Sequence, residues 1–442
     1  MNRAHLLIAL VLTLMVMAAA AQSPLPVVLM ISIDGLRPDY VTGADKHGLK
    51  IPTLRRFVTE GAYAEGVQGV IPTVTYPSHT TLITGVWPAK HGILSNTVFE
   101  PLRTGPANWY WYADDIHAPT LWDAAARAGW PTASIQWPAS VGARVTWNIP
   151  EYWRGSATED AKLRRAVSTP GLLAELEGEL GPYPHGQEVE DDEARGRFAV
   201  RVLEKKRPAL LTLHLLVLDH VQHETAPFSA ETFAALERLD GVVAKLRETA
   251  ERLAPGRAFV AIVSDHGFAR IDTQLNLFTA LREAGLFSVD RGAITDWTAM
   301  PWVSGGSAAI VLKNPDDAAA RGKVREVLDR LAADPANGID RILDADALRA
   351  RGAFPTAAFV VGLKPGWRMS STPRGPLVSK SQGGTHGHLP DLPDLHASFF
   401  LVGSGVPAGR ALGVIDMRDV APTLARRVGL TLPSADGKIL LP

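Results

Sequence analysis

The stretch PVVLMISI at residues 26–33 is a nearly continuous run of aliphatic and β-branched residues, and Asp34 and Gly35 end it. A run of this kind predicts a strand that is buried on both faces, as in a parallel sheet. Similar runs occupy residues 210–218, 259–263 and 398–402, and weaker ones occupy residues 308–312 and 357–361.

Helical patterns separate these runs, at residues 120–128, 169–180, 230–253 and 318–331. Alternation of strands and helices predicts an α/β fold with a mostly parallel central sheet flanked by helices. The acidic segment at residues 181–197 contains proline and glycine, so we expect it to be an excursion on the surface.

The length of the chain indicates more than one structural unit, because a typical domain has ~100 to 200 residues. Residues 286–374 have strand patterns of their own and interrupt the series of candidate site residues. We therefore expect an inserted, cap-like subdomain there, and a core formed by residues 22–285 and 375–442.

Residues 1–21 contain one arginine, Arg3, then an apolar run at residues 6–18, and end in three alanines. This pattern predicts a cleaved signal peptide. The apolar run is shorter than the ~20 residues of a comfortable bilayer span. We expect a periplasmic or secreted protein without a stable membrane anchor.

The composition excludes thiolate metal ligands and argues against nucleic-acid polymers as partners. The chain contains no cysteine, so a metal would have to be held by oxygen and imidazole. Its 45 basic and 46 acidic residues give a formal charge of -1, which provides no electrostatic footprint for a nucleic-acid polymer. No pattern indicates a protein partner.

Three candidate metal ligands follow two of the buried runs. Asp34 ends the first run, and Asp265 and His266 follow the run at residues 259–263. Enzymes with α/β folds assemble their sites at strand ends. Taken singly, Asp34 is explained by a turn and Asp265 by ordinary buried hydrogen bonding. Their joint occurrence indicates a metal site.

Further candidates come from spacing and from glycines. Asp219 and His223 stand four residues apart, so one helical turn would bring both side chains to one face. We expect His220, between them, to have a structural role. His386 lies among glycines that permit close approach of the backbone to a ligand. His388 remains an alternative to His386.

Thr75 is the candidate nucleophile. Pro77 favours the start of a helix that Gly85 would end, so Thr75 would lie just ahead of a helix N-terminus. Free backbone N–H groups there attract a phosphoryl group. A bound cation would stabilise the alkoxide of a threonine. The alternative is that Thr75 only caps the helix.

These segments together resemble the nucleotide pyrophosphatase/phosphodiesterase family of the alkaline phosphatase superfamily, over most of the chain. Residues 32–40 look like the first strand and ligand of that family, and residues 72–79 look like its nucleophile segment. Ser78 stands where an asparagine is usual. Asn96 is similar to an asparagine that contacts a phosphoryl oxygen in the family.

The resemblance implies an alkaline-phosphatase-like fold and two zinc ions. One zinc would be held by Asp219, His223 and His386, and the other by Asp34, Asp265, His266 and Thr75. Thr75 would form a phospho-threonine intermediate that water then cleaves. Asn96 and the N–H of Thr75 would donate to the phosphoryl oxygen.

The resemblance also bears on the substrate, which we expect to be a small phosphodiester or nucleotide. Tyr76 and Tyr152 would stack on a nucleobase or another apolar group, or else serve ordinary packing. Threonine-type monoesterases carry a Lys-x-Arg pair where Ala143-Arg144 offers one cation. A diester needs less positive compensation than a monoester.

Other activities share the implied mechanism. A phosphomonoesterase, a choline-phosphoester hydrolase and a phosphonoacetate hydrolase all remain open as alternatives. A secreted binding protein without catalytic activity is a remote one.

Overall fold

The computed structural model describes residues 24–441. Its strands, in chain order, are β1 (Val27–Ile33), β2 (Ala62–Tyr63), β3 (Gly66–Gln68), β4 (Thr132–Ile135), β5 (Trp147–Ile149), β6 (Leu210–Leu215), β7 (Ala258–Val263), β8 (Ala269–Leu275), β9 (Phe287–Asp290), β10 (Ala293–Trp297), β11 (Ala299–Ser304), β12 (Ser307–Leu312), β13 (Ile339–Asp344), β14 (Ala357–Leu363), β15 (Gly366–Met369), β16 (Val378–Lys380), β17 (Gly384–Thr385), β18 (Phe399–Gly403), β19 (Arg410–Ala411) and β20 (Val414–Asp416).

The α-helices are α1 (Pro38–Thr42), α2 (Ala44–His47), α3 (Pro52–Glu60), α4 (Thr75–Thr84), α5 (Pro88–His91), α6 (Leu121–Arg127), α7 (Ala157–Val167), α8 (Leu172–Leu180), α9 (Val189–Lys206), α10 (Val217–Thr225), α11 (Ala230–Leu253), α12 (Leu277–Glu283), α13 (Ala318–Ala333), α14 (Ala345–Ala350) and α15 (Val420–Arg427). Short 3₁₀ helices lie at Ala113–Asp115, Pro335–Asn337, Pro393–Leu395 and Met417–Asp419.

The central sheet has the strand order β19-β2-β18-β7-β1-β6-β4-β5. Strand β1 pairs in parallel with both β6 and β7, and β4 pairs in parallel with β5 and β6. Strand β18 is antiparallel to β7. Every residue of β1 is buried, as expected of a central strand covered on both faces. The prediction of a mostly parallel sheet flanked by helices is confirmed.

A second sheet, with the antiparallel order β11-β12-β14-β13, lies within residues 286–374. Helix α13 shares a hydrophobic core with it, through side chains such as Val324 and Leu328. The turn between β11 and β12 contacts the segment that carries His386, because Gly306 N–H donates to the His386 carbonyl at 2.8 Å. The division of the chain into core and cap stays a prediction.

Two expectations about local structure were wrong. The run at residues 210–218 is not one strand, because β6 ends at Leu215, Leu216 is the N-cap residue of α10, and Val217 and Leu218 are buried residues of that helix. Residues 181–197 are not only a surface excursion, because α9 begins at Val189. The charged side chains of Asp192 and Arg195 on this helix are buried and pair with each other.

Between residues 24 and 441, no helix combines the length and the apolar character of a bilayer span. The predicted signal peptide at residues 1–21 lies outside the described residues.

Candidate active site and metal centre

The candidate ligands meet at the carboxyl ends of neighbouring strands. Asp34 directly follows β1, and Asp265 and His266 lie two and three residues after the end of β7. The Gly35 N–H donates to Asp265 Oδ1 at 3.2 Å and links the two strand ends. Because β1 and β7 are adjacent and parallel, their polar ends are brought together.

Asp34, Asp265 and His266 form one buried group that could hold a metal ion, with ligand atoms within 4.8 Å of one another. His266 Nε2 lies 3.1 Å from Asp265 Oδ2 and 3.4 Å from Asp34 Oδ1. All three side chains are almost fully removed from solvent. The group therefore has a compact arrangement of two carboxylates and one imidazole.

Asp219, His266 and His386 form a second such group. His386 Nε2 lies 3.6 Å from Asp219 Oδ1, and His223 Nε2 lies 3.4 Å from Asp219 Oδ2. The ring of His266 stacks on that of His386 with centroids 3.7 Å apart. His266 thus belongs to both groups, which are adjacent.

The hydrogen-bond partners of His223, His266 and His386 show which ring nitrogen of each imidazole carries a proton. Each Nδ1 faces a backbone carbonyl: that of Gly384 for His223 at 3.1 Å, that of Gly267 for His266 at 3.0 Å, and that of Thr73 for His386 at 3.1 Å. A carbonyl oxygen can only accept a hydrogen bond, so each Nδ1 carries the proton. In the neutral imidazole, each Nε2 then has a lone pair that it can present toward a metal, as metal-binding histidines do.

Several acceptor atoms in this cluster are buried without a hydrogen-bond partner among residues 24–441. They are Asp34 Oδ1, Asp219 Oδ1, Asp265 Oδ2 and His266 Nε2. Burial and the neighbouring charges of Asp265 and Asp219 raise the pKa of Asp34 well above its usual range. Unpaired buried acceptors are costly, and a shared cation would satisfy them. Oxygen and imidazole donors of this kind fit zinc.

Supporting side chains surround the ligands. His214, in β6, lies with Nε2 at 3.0 Å from Asp34 Oδ2. His79, in α4, lies with Nε2 at 2.8 Å from the Ser32 hydroxyl. Sequence reasoning did not identify His214. A histidine in the strand LLTLHL, whose other residues are four leucines and a threonine, is the signal that would have revealed it, because a buried polar residue needs a partner.

Thr75 is the first residue of α4, and Val74 occupies the N-cap position. Thr75 is therefore not the N-cap residue, and the helix begins two residues before Pro77, so the expectation that Thr75 lies ahead of the helix was wrong. The helix ends at Gly85 in a left-handed conformation, as expected. His79 Nδ1 donates to the Thr75 carbonyl at 2.8 Å and lies 3.7 Å from Asp265 Oδ2. The first turn of α4 thus lies beside the carboxylate cluster.

Asn96 lies against this same turn. Its Oδ1 accepts a hydrogen bond from the Tyr76 N–H at 2.9 Å. Because the amide oxygen of Asn96 is engaged in that bond, its amide nitrogen remains available as a donor. The nitrogen has no partner between residues 24 and 441. Asn96 is thereby fixed to the residue that follows Thr75.

The two candidate stacking tyrosines differ in exposure. The ring of Tyr76 packs against Trp109 and Trp111, and its hydroxyl donates to Glu151 Oε2 at 3.0 Å. Only 1% of Tyr76 is exposed, so ordinary packing describes its ring. Tyr152 is half-buried at the edge of the same cluster, against Trp111.

His388 and His220, the other histidines near the candidate ligands in the sequence, have other neighbours in the structure. His388 donates from Nε2 to the Trp367 carbonyl at 2.9 Å. His220 Nε2 lies 3.7 Å from Glu224, one turn along the same helix. In the part of the chain that the structure describes, neither of them belongs to the two groups that could hold a metal, and His223 also lies outside these groups, although it is close to Asp219.

A family model described as type I phosphodiesterase / nucleotide pyrophosphatase matches residues 28–389. The chain belongs to this family, which confirms the resemblance seen in its motifs.

Curated relatives match over part of their length. Human ectonucleotide pyrophosphatase/phosphodiesterase family member 1 is 25% identical over 254 residues, which are 55% of this chain and 23% of that protein. Venom phosphodiesterase 2 of Crotalus adamanteus is 26% identical over 258 residues, which are 58% of this chain and 28% of that protein. The matched part of the chain thus corresponds to about a quarter of these relatives.

Solved structures show the same fold. Murine ectonucleotide pyrophosphatase/phosphodiesterase 5, as an inactive threonine-to-alanine variant in complex with AMP, superposes with a TM-score of 0.67 at 19% identity, covering 95% of this chain and 98% of that one. The human protein 5 gives a TM-score of 0.67, also at 19% identity, covering 94% and 98%. The expected alkaline-phosphatase-like fold is confirmed.

Proposed function

We propose that this protein is a zinc-dependent phosphodiesterase or nucleotide pyrophosphatase that uses Thr75 as its nucleophile. The observation that carries the proposal is the set of unpaired buried acceptors beside the first turn of α4. Family membership supports the reaction class, since the family is named for these two activities.

The ligand assignment follows the family resemblance, and it is supported by the two compact groups of the site and by the 3.4 Å between His223 Nε2 and Asp219 Oδ2. Asp34, Asp265 and His266 would hold one zinc with Thr75, and Asp219, His223 and His386 would hold the other. When bound, a zinc pair supplies positive charge that stabilises the threonine alkoxide and the charge on the phosphoryl group, and activates water. The carbonyl-bound Nδ1 atoms keep the three imidazoles in the tautomer that this role requires.

The other roles fall to groups around α4. Thr75 would attack phosphorus in line, so that the leaving group departs with the bonding electron pair and a phospho-threonine remains. Asn96 Nδ2 and the Thr75 N–H would donate to a phosphoryl oxygen. His79 would keep the start of α4 in place through the Thr75 carbonyl. Water would then cleave the phospho-threonine.

The substrate would be a small phosphodiester or nucleotide. Arg144, the one cation of the Ala143-Arg144 dipeptide, is exposed and lies in a groove with Asp114 and Asp123. This groove is lined by neither Thr75 nor a candidate metal ligand, so we expect Arg144 to provide no compensation for the second charge of a monoester. Of the two tyrosines, Tyr152 has the exposed surface needed to contact a leaving group. We further propose that the protein is exported.

A comparison of substrates tests this proposal. Bis-p-nitrophenyl phosphate, p-nitrophenyl phosphate and a nucleotide p-nitrophenyl ester would be assayed on zinc-loaded protein, with Thr75→Ala as the control for background hydrolysis. We expect a higher kcat/KM for the two diesters than for the monoester. A preference for the monoester would overturn the substrate class, and full activity of Thr75→Ala would overturn the covalent mechanism.

A further inference from the structure

A buried carboxylate from another helix holds the start of α10. Asp192 Oδ2 accepts hydrogen bonds from the N–H groups of Leu216 and Val217, at 2.7 and 2.8 Å. Leu216 is the N-cap residue of α10, and its own side chain provides no capping bond. The first N–H groups of a helix need such acceptors, and negative charge is favourable there. Asp192, which lies 24 residues before Leu216 in the sequence, supplies both the acceptor and the negative charge.

The carboxylate of Asp192 is itself held in one orientation. Arg195 NH1 donates to Asp192 Oδ1 at 2.6 Å, and Arg195 NH2 donates to the Gly186 carbonyl at 2.5 Å. Asp192 is 0% exposed and Arg195 is 1% exposed. One oxygen of Asp192 therefore binds the arginine while the other faces α10, and neither contacts solvent.

Helix α10 carries Asp219 and His223 into the site. Asp219 lies two residues after Val217, in the first turn of α10. If that turn tilted or unwound, the carboxylate of Asp219 would move with it. A second anchor lies farther along the helix, where Gln222 donates to the Gly35 carbonyl at 3.1 Å. The helix start depends on Asp192, because the described residues place no other side chain on these two N–H groups.

We propose that Asp192 is a positioning residue, which sets the start of α10 so that Asp219 and His223 bind one of the two metal ions. The inference rests on the proposed function. Substitutions that remove a partner behind a metal ligand weaken metal affinity by about 10- to 100-fold. Removal of Asp192 should affect the ion held by Asp219, His223 and His386 and spare the other.

The test measures metal binding rather than turnover alone. Zinc dissociation constants of the wild-type protein, Asp192→Ala and Asp192→Asn would be determined by competition with a chromophoric chelator. Absorption spectra of the cobalt(II)-substituted proteins would report the ligand geometry. We expect one of two dissociation constants to rise roughly 10- to 100-fold in Asp192→Ala. Asp192→Asn, which keeps an oxygen acceptor, should show a smaller rise, and excess zinc should restore kcat.

Asp240 provides a matched control. It is also buried, and its two carboxylate oxygens accept from the N–H groups of Thr53 and Leu54 at the start of α3. That helix carries no candidate ligand. Asp240→Ala should lower the thermal stability, by less than Asp192→Ala because no buried arginine loses its partner, and leave both zinc affinities and the cobalt spectrum unchanged.

The outcomes separate this inference from the proposed function. If the wild-type protein binds two zinc ions and Asp192→Ala binds both as tightly, the positioning role is wrong and the proposed function stands. An equal weakening of both ions, or the same change in Asp240→Ala, would also contradict the positioning role. If the wild-type protein binds no zinc, the proposed function fails and the inference fails with it.

Discussion

The Oδ1 atom of Asn96 accepts a hydrogen bond from the backbone N–H of Tyr76 at 2.9 Å. This bond fixes the Asn96 side chain to the residue that follows the proposed nucleophile and leaves its amide nitrogen available as a donor. Donors of this type stabilise charge that develops in the transition state.

Substitution of Asn96 should therefore reduce turnover and not metal binding. We expect Asn96→Ala to lower kcat by roughly 10²- to 10³-fold, and Asn96→Asp to lower it further because its carboxylate repels the phosphoryl group. Steady-state kinetics on a diester, with zinc content measured on the same samples, check this. Unchanged kcat in Asn96→Ala would remove Asn96 from the catalytic groups.

Thr75 should be indispensable for turnover because the proposed mechanism has no other nucleophile. Thr75→Ala should lower kcat by roughly three orders of magnitude or more, as expected when a covalent nucleophile is removed. Thr75→Ser keeps the hydroxyl and should retain part of the activity. Thermal unfolding serves as the control for folding, and activity of Thr75→Ala near that of the wild type would contradict the role.

Replacement of Asp34 should change the free energy of unfolding in opposite directions without and with zinc. Without metal, Asp34 Oδ1 is a buried acceptor with no partner in the described chain, so Asp34→Asn should stabilise the protein by roughly 1–3 kcal/mol. With zinc, only the wild-type protein should gain the full stabilisation from two bound ions. Thermal unfolding of both proteins, with a chelator and with zinc, checks both signs. Destabilisation by Asp34→Asn in the presence of the chelator would contradict the account.

The sequence predicted the parts of the site that depend on local pattern. Buried runs ending in Asp34 and in Asp265 indicated strand ends, and the spacing of Asp219 and His223 indicated one helical face. Their convergence follows from parallel pairing of adjacent strands.

What the sequence did not reveal depends on contacts between distant segments. The acidic residues around Asp192 have the composition of a solvated surface segment, and only the three-dimensional structure shows that this carboxylate pairs with Arg195 and caps α10. The ring of Tyr76 is buried because two tryptophans that follow it in the sequence, Trp109 and Trp111, cover it. Periodicity carries no information about either arrangement.

Glu151 should make stability depend on pH. Burial raises its pKa to about 7, despite its hydrogen bond from Tyr76 and the nearby charge of Arg195. In the unfolded chain it loses its proton at a lower pH, so the folded state binds more protons between these values. The free energy of unfolding should therefore fall as pH rises through this window, by about 3 kcal/mol at most.

Glu151→Gln should remove that dependence, because glutamine does not titrate and can still accept from Tyr76. Urea unfolding of the zinc-free proteins at about pH 5 and about pH 7.5 compares them across the window in which Glu151 loses its proton. We expect the variant to gain stability relative to the wild type at the higher pH. If the difference in free energy of unfolding between the variant and the wild type were the same at both pH values, Glu151 would be ionised across this range in the folded protein as well.

The most direct measurement of the central claim is anomalous scattering at the zinc edge from crystals of zinc-loaded protein, with elemental analysis of the same preparation. The account predicts two ions per chain, one among Asp34, Asp265 and His266 and the other among Asp219, His223 and His386, with the Thr75 hydroxyl against the first. A single ion, or two ions bound elsewhere, would contradict it.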